Sequence, residues 1–155
     1  MRPGGRRVSG LALLLVLAAG AAWAAPIEGR WQTVDLETGQ PRGEVTLKLV
    51  DGVLEGHVTG GHLRPGETEA SLCTKCGGAL HKQPLRGLRV VWDMRAKDDE
   101  RHYDGGRLLD PDRGSIYRAK LTLSPDGQRL EVRGYIGLPA LGETTTWRRL
   151  PAAGQ

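Results

Sequence analysis

The sequence predicts one antiparallel all-β domain, a sandwich or barrel of about eight strands in sequential order. Three observations carry this: apolar and polar residues alternate with period two from Gly43 onward, turn dipeptides fall between the alternating runs, and no stretch keeps a helical period. The longest helix-like pattern, Glu67 to Leu72, suffices for a turn or two.

In chain order, a short opening strand covers Gly29 to Val34. Val45, Leu47 and Leu49 then alternate with Glu44, Thr46 and Lys48, and Leu54, Gly56 and Val58 alternate with Glu55 and His57. Asp51-Gly52 between these runs tolerates the positive φ angles of a type I′ turn, which makes them a hairpin. Leu88 to Arg95 and Tyr103 to Leu109 read as further strands, and Asp110-Pro111-Asp112-Arg113-Gly114 reads as a turn, because proline cannot continue a central strand. Tyr117, Ala119, Leu121 and Leu123 form one alternating face, and Leu130, Val132 and Ile136 another, joined by the turn Ser124-Pro125-Asp126-Gly127. Glu143 to Leu150 is the last strand. Gly60 to Pro84 breaks the compact spacing, and loops of that length without secondary structure usually carry function. It holds both cysteines and two of the four histidines.

The first 24 residues read as a signal peptide: Arg2, Arg6 and Arg7, an apolar stretch from Leu11 to Ala19, then small residues ending at Ala22-Trp23-Ala24. A spanning helix needs about 20 consecutive apolar residues, which this run lacks. Cleavage is expected after Ala24, leaving residues 25–155 as a single domain without integral membrane association, exported to the periplasm or secreted. Both the general route and the twin-arginine route through Arg6-Arg7 stay open. No cysteine follows the apolar run, so a lipid anchor is not expected. Removing this segment takes away three arginines and no acids, so the formal charge falls from +4 to +1. A nearly neutral domain lacks the basic footprint of nucleic-acid binding. Phe and Asn are absent, so the core is aliphatic around Trp31, Trp92 and Trp147, and there is no N-glycosylation acceptor.

Several segments together resemble the DUF2147 family. They are Gly29-Arg30-Trp31-Gln32-Thr33, Asp35, Thr38-Gly39, Pro41, Cys73-Thr74-Lys75-Cys76-Gly77, Pro84, Gly87, Gly106-Arg107-Leu108-Leu109-Asp110-Pro111, Gly114, Tyr117, Arg133-Gly134-Tyr135-Ile136-Gly137 and Thr146-Trp147-Arg148-Arg149. The resemblance covers essentially the whole mature chain. It departs at Glu143, where the family usually has a basic residue, and at Tyr103, where a Trp is common. Members are exported bacterial proteins that resemble calycins, the lipocalins and fatty-acid-binding proteins. This implies a closed up-and-down β-barrel, with the long loop between its third and fourth strands. It also implies a structural clasp of Gly29, Trp31, Trp147 and Arg149, in which the Trp31 indole plugs one end and Arg149 packs over it and donates to nearby carbonyls. An eight-stranded barrel is either filled or holds one small ligand, so a small, partly apolar ligand is expected, with Trp92, Tyr117, Arg133 and Tyr135 as candidate ligand-facing residues.

Cys73 and Cys76 are the sharpest chemical feature. In an oxidising compartment a C-x-x-C pair most simply forms a local disulfide. A redox-active pair is the rival, though it usually sits at a helix N-terminus in a βαβ setting. Zinc held by Cys73, Cys76, His81 and His62 is a third reading, weakened by the lack of a second C-x-x-C or a spaced His pair. The sequence carries no G-x-S-x-G, H-E-x-x-H or G-x-x-x-x-G-K signature, so no catalytic residue and no cofactor is assigned. Asp98-Asp99-Glu100 reads as a solvated turn, with His102 beside it and His57 facing outward. The sequence names no protein partner, and an envelope interaction domain without a ligand remains an alternative.

Overall fold

The computed structural model describes Met1 and residues 26–152, so the signal segment beyond Met1 and the expected cleavage after Ala24 lie outside the described residues. Nine strands follow one another: β1 (Gly29–Val34), β2 (Pro41–Val50), β3 (Val53–Gly61), β4 (Arg89–Ala96), β5 (His102–Asp104), β6 (Arg107–Asp110), β7 (Ser115–Leu123), β8 (Arg129–Tyr135) and β9 (Glu143–Arg149). All pairings are antiparallel. The ring closes because β1 pairs with both β2 and β9, Trp31 standing opposite Val45 on one side and Arg149 on the other. Since β5 and β6 both lie between β4 and β7, they share one position. The result is a closed eight-stranded up-and-down barrel that leaves no sheet edge open among the described residues.

The hairpins follow their turn chemistry. Asp51 and Gly52 take φ of 51° and 77°, the pair of positive values that matches the twist of β2 and β3. Two expectations need correction. The strand expected over Tyr103 to Leu109 is broken in two: β4 bulges at Asp93, whose φ is 59°, and its backbone presses against Gly106, where any Cβ would collide with the Trp92 carbonyl. Glu67 to Leu72 forms hydrogen-bonded turns, as its short pattern suggests, with Glu67 N–H donating to the Arg64 carbonyl and Ser71 N–H to the Thr68 carbonyl. Short 3₁₀ turns fall at Gly78–Leu80 and Pro139–Leu141. Ile136 does not continue the inward face of β8. The strand stops at Tyr135, Gly137 turns the chain at φ 74°, and Ile136 is 72% exposed.

Strand direction sorts the barrel into two ends. Residues directly opposite in a sheet share a face, so Trp31, Val45 and Val58 point inward together, as do Leu130 and Trp147. The half toward the start of β1 is filled by Trp31, Leu47, Leu54, Val91, Met94, Leu121, Leu123 and Leu130, all fully buried. Each such side chain contributes about 1.5–3 kcal/mol of transfer free energy. Toward the end of β1 the long connections gather: 35–40, 62–88, 111–114 and 136–142.

Candidate ligand-binding site

The filled end is sealed. The Trp31 indole is inaccessible and donates from Nε1 to the Ile27 carbonyl at 2.9 Å. The Arg149 guanidinium lies 4.3 Å from the ring centroid, as a cation over an aromatic face. It donates to the carbonyls of Glu28 at 2.8 Å, Pro26 at 2.6 Å and Gly127. Burial lowers the Arg149 pKa, since desolvation disfavours its charge. Gly29 leaves room for this arrangement, for a Cβ there would lie 3.0 Å from Arg149 Nη1. Trp147, grouped with these residues on the sequence, lines the cavity at the opposite end.

That cavity measures about 570 Å³ and opens between the long connections. Its floor is apolar, built from Val45 of β2, Val58 of β3, Val90 of β4, Leu108 of β6 and Trp147 of β9, with Thr33 and Thr145 as hydroxyl-bearing wall residues. Such a combination, mostly apolar with a few polar groups at the rim, is characteristic of small-molecule sites.

The rim is an ion-pair network centred on Arg42 at the start of β2. Its guanidinium donates twice to Glu67, both bonds at 2.7 Å, twice to Asp112, at 2.9 and 2.8 Å, and to the His62 carbonyl at 2.9 Å. Arg64 reaches Asp112 at 3.0 Å and pairs with Asp35. Four segments distant in the chain are joined this way: the β1–β2 connection, β2, the long loop and the β6–β7 turn. The hydrogen bonds that Arg42 donates to Asp112 and Glu67 raise the Arg42 pKa, and the same bonds hold Glu67 and Asp112 below the usual carboxylate range. Asp35 is lowered from 3.8 to about 2, chiefly by the Thr38 backbone N–H and also by Arg64. Asp110 moves the other way, because burial disfavours its charge.

Lowered acid pKa values stabilise the folded state above the unfolded pKa, and that contribution is lost as pH falls through the folded pKa. For Asp35 the window runs from about pH 4 to about pH 2. The denaturation midpoint should therefore fall across that interval. An Asp35→Asn, Asp112→Asn double variant should show a flatter profile, and an equally steep one would mean that these carboxylates do not drive the change.

The long loop is tied down along its length. Cys73 and Cys76 form a disulfide, and both residues are buried. Leu72 and Pro84 make an isolated antiparallel bridge, and Gly114, with φ 71°, packs so closely on the Lys75 carbonyl that a side chain there would collide with it. Closing so short a covalent loop contributes about 2 kcal/mol in the chain-entropy picture. Replacing both cysteines by serine should accordingly lower the unfolding free energy by about 2 kcal/mol or less and loosen the 72–84 segment, while the barrel amides keep their exchange protection. Loss of the whole fold would contradict this.

The other candidate residues separate. Tyr117 and Tyr135 line a second hollow of about 260 Å³, whereas Trp92 and Arg133 line neither. Arg133 braces the β8–β9 connection, donating to the Pro139 carbonyl at 2.8 Å and Thr144 Oγ1 at 2.7 Å, and Arg118 lies 5.8 Å from the Tyr135 ring. Trp92 stands beside Arg89, also at 5.8 Å. The proposed zinc donors are not assembled: both sulfurs are spent in the disulfide, His81 Nδ1 lies 3.1 Å from the Cys76 carbonyl, and His62 lines the cavity rim. Asp99 accepts from His102 at 2.8 Å in an exposed turn. Sequence reasoning missed the network of Arg42, Arg64, Glu67, Asp112 and Asp35. The clue was the placing of charged residues at strand ends beside the long loop, but the Arg42 partners stand 25 and 70 residues away, beyond any local pattern.

A family model described as an uncharacterized protein conserved in bacteria (DUF2147) matches residues 29–149. No curated protein matches the chain. Among solved structures, the chain is similar to HP1028 from the human pathogen Helicobacter pylori, described as belonging to the lipocalin family. The TM-score is 0.68 and the identity 21%, with 81% of this chain and 83% of that chain covered.

Proposed function

The chain belongs to the DUF2147 family, and from that premise we propose that it is a non-catalytic binding module that holds one small, partly apolar molecule in the open half of its barrel. The observation that carries this is the asymmetry of the interior: a sealed, filled end beneath Trp31 and Arg149, and a cavity of about 570 Å³ over an apolar floor at the other. A barrel needing only stability would gain by filling that space, since unfilled volume costs packing free energy. Binding rather than chemistry suits the rim, where Asp35, Glu67 and Asp112 are committed to arginines and so are poor proton carriers. The amino-terminal signal pattern supports export to the periplasm or secretion. Among the described residues no helix is long and apolar enough to cross a membrane. A role in thiol exchange has less support, because attack on a disulfide needs access and both cysteines are buried.

Native mass spectrometry of the protein purified from its own envelope tests the proposal. The expected result is a discrete adduct of small-molecule mass at one-to-one stoichiometry. A homogeneous bare-chain mass, unchanged after incubation with envelope lipid extract, would overturn it.

A further inference from the structure

The second hollow adjoins the first. Leu36, Leu108, Asp110, Arg113 and Thr145 line both, so the two lie side by side, one over the barrel floor and the other at the outer end of β8. We propose that the two form one binding site for a single-chain amphiphile with a polar head of no net charge. The head sits within the charged rim, and the hydrocarbon chain runs over Leu108 to lie on Gly134 and end against Leu141. This rests on the binding reading above and adds to it a second subsite and a ligand class.

Gly134 is the main reason. It lies in β8 between Ala119 of β7 and Glu143 of β9, a position where a glycine weakens a strand. Nothing in the backbone demands it: its φ is not positive, and an added Cβ would meet the nearest atoms, Tyr117 Cβ and Cγ, at 3.4 and 3.5 Å, ordinary contact. What the missing side chain provides is the hollow itself, because any longer group would enter the space beside Tyr117. The outer wall carries two exposed apolar side chains, Ile136 at 72% and Leu141 at 78%, with Glu143 beside them paired to Arg113. Free apolar side chains grouped at the end of a channel suit a hydrocarbon chain better than water. The head-group class follows from charge matching at the rim, where Arg42 and Arg64 are satisfied by Asp35, Glu67 and Asp112. A charged head would have to break those pairs to find a partner.

Calorimetric titration with 1-monooctanoylglycerol and 1-monopalmitoylglycerol, each below its micelle concentration, tests this on the wild-type chain, Gly134→Leu and Leu141→Asp. The wild type should bind the palmitoyl compound more tightly, because methylenes add affinity only while they find apolar surface. Gly134→Leu should weaken palmitoyl binding about tenfold or more and leave octanoyl binding within about twofold. Leu141→Asp should act in the same direction, and its exposed position keeps the test valid even if Gly134→Leu fails to fold. Palmitoyl affinity unchanged in a folded variant would overturn the second subsite while leaving the main cavity as a binding site. Failure of the wild type to bind either compound would overturn the ligand class, and the adduct measurement above would then decide the binding reading separately.

Discussion

Replacing Trp31 by alanine is expected to remove about 3–5 kcal/mol of stability, the range for emptying a large aromatic from a core. Trp31 is completely buried, and its ring is the surface on which the Arg149 guanidinium rests. Loss of the ring leaves both a void at the sealed end and a half-buried cation that has lost its aromatic face but still hydrogen-bonds only to carbonyls. A domain of this size has about 5–15 kcal/mol in total, so the variant should unfold at far lower denaturant, or fail to accumulate. Trp31→Phe should recover part of the loss, since a smaller ring still fills much of the space and offers a face to Arg149, but it gives up the Nε1 bond to Ile27. Equilibrium denaturation of the three chains checks this. A Trp31→Ala midpoint close to wild type would mean that the plug is dispensable.

The second large effect is expected at the rim. Arg42→Met removes a guanidinium that bridges Glu67 and Asp112 and leaves the two carboxylates without it. Exposed ion pairs contribute about 0–1 kcal/mol and breaking buried ones costs about 3–5. The Arg42 side chain is 15% exposed, which places the loss between these limits, at about 2 kcal/mol. The loss should be local. Hydrogen exchange at His62, Arg64 and Glu67, whose amides bond within this corner, should accelerate about 30-fold, the equivalent of 2 kcal/mol, while amides of β7 and β8 are unchanged. Arg42→Lys should not restore protection, because one ammonium cannot serve two carboxylates in paired geometry. Unchanged exchange over residues 62–72 would show that the loop is held by other contacts.

How far the sequence was legible depended on whether the governing interactions were local. Alternation of Val45, Leu47, Leu54 and Val58 about Asp51-Gly52 needs only neighbouring residues to be read, and the β2–β3 hairpin follows from it. Closure is a long-range event. That β1 meets β9 was reachable only through the likeness of the Gly29-x-Trp31 and Trp147-Arg148-Arg149 segments to a known family, since no period in the chain encodes the ring. The break at Gly105-Gly106 stayed hidden because its cause lies on another strand, in the bulge at Asp93. The rim network was hidden for the same reason, its members being charged residues that look like ordinary solvated loop positions until folding brings them together. Tyr135 and Arg133 were correctly read as sharing a face opposite Val132, but which face looks inward is fixed only by closure.

Binding depends above all on a barrel that is sealed beneath Trp31 and accessible beside Trp147. Fluorine NMR of the mature chain labelled with 5-fluorotryptophan reads both ends in one spectrum, with the uncharged N-phenyl-1-naphthylamine added as a probe of accessible apolar space. Trp147, which lines the cavity, should shift on saturation, while Trp31 and Trp92, which line neither hollow, keep their positions. Movement of Trp31 with Trp147 unmoved, or no movement of any resonance at saturating probe, would contradict it.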